Sequence, residues 1–481
     1  MHTCRSFQNI SIAIISCGAL FPEARAGTVT YLGSGTLSGA ANWDTAARPV
    51  TTDEALFINA LPDPVTTAGG TNLEFGNFLW NSNSSSTIAL NTTGSTSTQL
   101  RLTNGGGSTA AIANGGATDD LLLLGTAATS NTVIISGNLN TGTAQLEIFL
   151  QAAGNINVVN AGATLDIATR LRERNGVFGF NKTGAGTLIL RGTNTYTGTT
   201  TLSEGTLALR NSNALSSGAL TINGGTLASL VSARTVANNV TVNGNFNLGG
   251  LGVATTLNGT IDLSGGTRTI TLGNSATIGG DISNGGLTVA ASSGSLSLTL
   301  NAANTYGGFT TVSSGTLFVN GSLANTSGVS VAAGATLGGS GSIASSVTVG
   351  ANGILAPGTS IDSLQVGSAD VDGILEIEYD GTAGGVVDLL EVTGLLDIAN
   401  ASINFSQLGA AADDDAYIFA TYGGLTGSFA PERVTGMPTS FPYFIDYNYL
   451  GANQIALVIP EPGAALITAL GLLPLLRRRR P

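Results

Sequence analysis

Short runs of alternating apolar and polar residues recur along most of this chain, separated by glycine and asparagine. Thr132-Val133-Ile134-Ile135 and Thr187-Leu188-Ile189-Leu190 are examples, and Asn104-Gly105, Asn223-Gly224, Asn258-Gly259 and Asn284-Gly285 punctuate such runs. Alternation with period two, bounded by residues that tolerate positive φ, predicts short half-buried strands joined by tight corners. Helix-period stretches are nearly confined to the two ends. A Thr-Leu unit recurs with Leu188, Leu207 and Leu227, again with Leu317 and Leu337, and as a variant at Leu355. A longer copy surrounds it: NTYTGTTTLSEGTLAL from Asn194 to Leu209 and NTYGGFTTVSSGTLFV from Asn304 to Val319 share ten of sixteen positions. A period near twenty residues built from strands predicts an all-β solenoid of stacked coils.

Composition supports a folded chain. Glycine contributes 68 of 481 residues, charged residues are 10% and apolar residues 42%, whereas disorder requires low hydrophobicity and high charge. Both cysteines, Cys4 and Cys17, and the only histidine, His2, lie in the first twenty residues. If that segment is removed, the mature chain has no disulfide, thiolate nucleophile, histidine base or zinc site of the usual ligand set. Between 27 and 459 there are 27 acidic and 11 basic residues, and Lys182 is the sole lysine. Such a surface repels nucleic acid and anionic lipid.

The ends read as addresses. Residues 1–26 hold Arg5, an apolar run from Ile10 to Phe21 and the small-residue site Ala24-Arg25-Ala26, a secretory signal expected to be cleaved after Ala26 and to engage the secretion machinery. The competing reading is lipoprotein processing at Cys17. Residues 27–80, with Trp43 and Trp80, are expected to form an N-terminal cap and first coils, the tryptophans closing the core or stacking on a ligand. Residues 81–400 are the expected solenoid body. The stretch 401–458, rich in aromatics such as Tyr417, Phe419, Tyr422, Phe441, Tyr443, Phe444, Tyr447 and Tyr449, is expected to be a C-terminal cap, with sugar stacking as the alternative. In 459–481, Pro460-Glu461-Pro462 precedes the apolar run Gly463 to Leu476 and the cluster Arg477, Arg478, Arg479 and Arg480. Fourteen helical residues span about 21 Å, short of a bilayer core of about 30 Å, so a transient membrane segment with cytoplasmic arginines is expected.

KTGAGTLILRGTNTYTGTTTLSEGTLAL, Lys182 to Leu209, resembles the autotransporter-associated β-strand repeat family, with Lys182, Gly184, Gly186, Asn194, Tyr196, Gly198 and Gly205 at matching places. Repeats are placed at about 178–209 and 300–320; the second keeps Asn304, Thr305, Tyr306, Gly308 and Gly315 but lacks the leading Lys-Thr-Gly. The resemblance implies a right-handed parallel β-helix passenger with terminal caps and short hydrophobic helical signals at either end. Such proteins continue into a membrane barrel; none follows here, so the chain is not expected to export itself. The tail from Pro460 resembles the PEP-CTERM sorting signal, which implies recognition by an exosortase-like membrane enzyme in bacteria that make exopolysaccharide.

Three clusters could carry chemistry. Alternation places Glu376, Glu378 and Asp380 on one face of a strand within a wider acidic set, Asp370, Asp372, Asp388 and Glu391, a weak calcium site or an acid and base pair weighed against a solvated outer face. Arg170, Arg172 and Arg174, with Lys182 beyond, could hold an acidic polysaccharide, or simply protect an edge. The aromatic segment is the third. No cofactor is implied. The expectation is a non-enzymatic, exported surface or matrix β-helix, adhesive or scaffolding in association with exopolysaccharide; the alternative is a β-helical polysaccharide lyase or glycoside hydrolase.

Overall fold

The computed structural model describes residues 151, 153–381, 386–409, 416–437 and 444–458, together with ten short strands between residues 28 and 150. The chain is a parallel β-solenoid, as expected. Each full coil contributes up to three strands, one to each of three faces. On the first face Gly154–Val158, Phe180–Thr183, Thr200–Leu202, Leu220–Ile222, Val240–Val242 and Ile261–Asp262 stack in parallel. On the second, Thr164–Ile167, Thr187–Leu190, Thr206–Leu209, Thr226–Ser229, Phe246–Leu248 and Thr267–Leu272 do the same. The third face carries Glu147–Leu150 and Arg170–Glu173, then resumes with Arg234–Val236, Thr255–Leu257 and Ala276–Ile278.

The Thr-Leu units now have a physical meaning. In register, Leu188, Leu207, Leu227, Leu248 and Leu272 stack one per coil and all have 0% exposure. Alternation turns the residues before them, four threonines and Asn247, outward, so one residue supplies the core and its neighbour the surface. Leu317, Leu337 and Leu355 form a second such column, but on the third face. The two groups of Thr-Leu units therefore do not form one column. Four coils and one further face separate Leu227 from Leu317, which is why their spacing is not a multiple of twenty. The strand, glycine corner and strand that the repeat encodes fit any face of the coil.

Glycine is required at that corner. Gly205 has φ +65°, and a Cβ there would lie 2.3 Å from the Gly184 carbonyl oxygen one coil below. Parallel stacking continues to Val434–Thr435, past the expected end of the body near 400. Apart from the short antiparallel pairing of Val386–Val387 with the end of Ile374–Asp380, reversal comes at the close: Gln454–Val458 pairs antiparallel with both Ala416–Thr426 and Phe444–Asp446, covering the edge of the second face.

Candidate functional site

Several polar residues of the repeat are occupied inside the wall. Asn194 is buried where the third face lacks a strand; its Oδ1 accepts from the Leu171 N–H at 2.8 Å and its Nδ2 donates to the Ala214 carbonyl at 2.5 Å. One side-chain amide thus replaces a missing strand between two coils. Asn304 repeats the arrangement on the first face, accepting from the Ile282 N–H and donating to the Ser322 carbonyl. The Tyr196 and Tyr306 hydroxyls lie 2.6 and 2.8 Å from Thr200 Oγ1 and Thr310 Oγ1 inside the core.

Lys182 corrects an expectation. It does not extend the arginine cluster: it is fully buried, and its ammonium donates to the carbonyls of Thr183, Gly184 and Glu204 at 2.7, 2.7 and 3.1 Å. Burial pushes its pKa down to about 7, and the Glu204 charge opposes the shift. Three acceptors match the three N–H groups of the charged form, so the corner itself holds the proton.

The arginines lie on the third face. Arg170 stands beside Glu147 in register and Arg172 beside Phe149, while Leu171 between them is buried. The guanidinium carbons of Arg172 and Arg174 sit 5.6 and 6.0 Å from the Phe149 ring centroid, within cation–π range. Glu173 turns away from them: its carboxylate accepts from the Phe178 and Thr197 N–H groups and from the Thr197 hydroxyl. Burial raises its pKa, but these hydrogen bonds outweigh burial and hold it below the ordinary carboxylate value.

The acidic set divides. Glu376, Glu378 and Asp380 are half-buried on the outer side of Ile374–Asp380, with Leu375, Ile377 and Tyr379 inward. Among the described residues no three acidic, histidine or cysteine side chains are grouped so as to hold a metal ion. Asp388 departs from the comb. It is 1% exposed and clasps two coils, accepting from the Asp362 N–H at 3.1 Å and the Glu378 N–H at 2.7 Å. Burial lifts its pKa to about 7, aided by the nearby Glu378 and Asp362 charges and opposed by those two hydrogen bonds.

Several aromatics of the C-terminal stretch pack on one another. Tyr417 and Phe419 are buried against Tyr379 and Phe405, and Tyr447 takes hydrogen bonds from the Tyr422 hydroxyl and the Phe429 N–H. Phe441, Tyr443, the cleavage site at Ala24 and Ala26, Cys17, Trp43, and the tail with Pro460, Glu461, Pro462 and Arg477 to Arg480 lie outside the described residues. Among the described residues no helix is long and apolar enough to cross a membrane.

Two lateral grooves escaped the reading of the sequence. One, of about 500 Å³, lies on the second face where Thr206, Thr226, Asn247 and Thr271 stand in consecutive coils beneath the loop carrying Leu251. The other, of about 600 Å³, lies on the first face along Asn155, Asn181 and Thr201, with Val177 at its lip. Every residue lining either groove is uncharged. The signal was present in the threonine or asparagine before each leucine of the column, but only the stacking register turns scattered polar residues into a row.

The fold defines a parallel β-solenoid whose coils carry an internal repeat. A family model described as the passenger-associated-transport repeat matches residues 180–209 and 293–319, the two copies visible in the sequence. The chain is also 30% identical over 220 residues to the adhesin BmaC autotransporter of Brucella suis biovar 1 (strain 1330), an alignment covering 40% of this chain and 6% of that adhesin. Among solved structures, the crystal structure of the Haemophilus influenzae Hap adhesin is similar over 85% of this chain and 63% of that one, at 12% identity and a TM-score of 0.24.

Proposed function

We propose that this protein is an exported, non-catalytic surface or matrix solenoid that acts by adhesion or scaffolding. One observation carries the reading: Asn194, Lys182, Asn304 and the two repeat tyrosines are tied into the wall, and among the described residues both grooves named above are lined without a single ionisable group. Glycoside or uronate chemistry without histidine needs carboxylates or arginines converging on one bond. The acidic comb and the arginines instead sit on separate strands, outside either groove. The passenger-type repeats and the likeness to an autotransporter adhesin support a surface role, while the small share of that adhesin covered leaves this chain's own ligand to be found directly.

Export and placement follow in this proposal from the terminal segments: cleavage after Ala26, then sorting through Pro460-Glu461-Pro462 and Arg477 to Arg480 by an exosortase-like enzyme, into an envelope or exopolysaccharide layer. The test is localisation of the tagged protein in cells with and without that enzyme, with mass spectrometry of the mature termini. The proposal expects surface protein lacking the four terminal arginines; a mature protein that retains Arg477 to Arg480 overturns the sorting step.

A further inference from the structure

The second-face groove has the features of a built ligand site. Its floor is a row of Thr206, Thr226, Asn247 and Thr271, one per coil, hence spaced about 4.8 Å apart along the rod. Asn247 Nδ2 donates to Thr226 Oγ1 at 3.3 Å, which orients the amide and leaves the threonine hydroxyl hydrogen available to an incoming acceptor. The wall is a loop in which Gly249, Gly250 and Gly252 all have positive φ. Asn274 pins it, its Oδ1 accepting from the Gly250 and Gly252 N–H groups at 2.7 and 3.1 Å. At the crest Leu251 is 38% exposed and forms part of the groove lining. The volume falls within the range of about 300 to 1,000 Å³ seen for small-ligand sites.

We infer that this groove binds an extended, neutral glycan strand lying along the solenoid axis. Hydroxyl and amide groups that both donate and accept match sugar hydroxyls, and their one-coil step is comparable to the length of one sugar unit. Leu251 offers the apolar contact that a sugar ring's C–H face takes. The lining carries no charge on a chain of net charge -12, which selects a neutral polymer over a polyanion. This site differs from the arginine cluster in face, chemistry and ligand class. The inference rests on the adhesive reading and sharpens it to a substrate class.

The experiment is calorimetric titration of the full chain with cello-, chito-, malto- and xylohexaose, and with oligogalacturonate and alginate hexamers as acidic probes. At least one neutral hexamer should bind, with affinity nearly constant as screening length falls from ~10 Å at about 0.1 M salt to ~3 Å at about 1 M. The isosteric Thr206→Val/Thr226→Val variant should bind about tenfold more weakly or worse, by loss of two direct hydrogen bonds. Leu251→Ser, a surface change that leaves the coils intact, should also weaken binding and covers the case in which the double variant misfolds. Absence of binding by every neutral hexamer, undiminished binding in both variants, or salt-sensitive binding of the acidic hexamers alone each overturns the inference. Surface adhesion that persists in a groove variant removes the groove and leaves the adhesive reading standing. A wild-type chain that adheres to nothing removes the reading itself.

Discussion

Asn194 shows how much of this sequence is explained by backbone accounting. A buried N–H and a buried carbonyl on successive coils must find partners, and where no strand intervenes one amide side chain supplies both. Asn194→Ala leaves the Leu171 N–H and the Ala214 carbonyl unpaired, a local cost of about 2–6 kcal/mol at ~1–3 per group. Hydrogen exchange at Leu171 should accelerate markedly in this variant; unchanged protection would mean the amide is dispensable. The asparagine was visible in the sequence as part of a repeated motif, whereas its partners were not, because they lie 20 and 23 residues away on other coils. Lys182 was misread for a related reason. Charge on paper suggests surface, and only the closed ring of three carbonyls reveals a buried ammonium.

At the scale of elements, Asp388 ties the backbones of Asp362 and Glu378 together, and its charge state should be felt there. Its folded pKa is raised from 3.8 to about 7, so between those values the folded state binds more protons than the unfolded state. Stability contributed at this site therefore falls as pH rises from about 4 to about 7 and is lowest above that. Hydrogen exchange of residues 362–364 and 386–389, corrected for intrinsic rates, should be slower at pH 5 than at pH 8, and Asp388→Asn should flatten the difference. Equal pH dependence in the variant would assign the effect to other carboxylates. The comb of Glu376, Glu378 and Asp380 was readable from alternation alone. Asp388 was grouped with it because nothing in local sequence distinguishes an outward carboxylate from one folded back across a coil.

For the whole molecule, the coil is the modular unit, and that much was legible from the spacing of Thr-Leu and glycine. The one-face offset of the second repeat was not, since a strand-corner-strand unit carries no mark of which face it will occupy. The same logic hid the grooves, whose rows exist only between coils. Thr206 and Thr226 are register partners, so deletion of residues 206–225 removes one coil corner to corner and sets Thr226 where Thr206 stood. The shortened chain should fold with its β-rich circular dichroism intact and a rod about 5 Å shorter by small-angle scattering. Deleting only ten of those residues breaks the stacking and should unfold the neighbouring coils.

The central claim, adhesion without turnover, is tested most directly on a quartz microbalance coated with exopolysaccharide from the cells that make this protein. Addition of the full chain should give a mass gain that returns to the starting baseline on washing, with the polymer film intact. A baseline that sinks below its starting mass, signifying polymer cleavage, or no mass gain at all, would contradict the account.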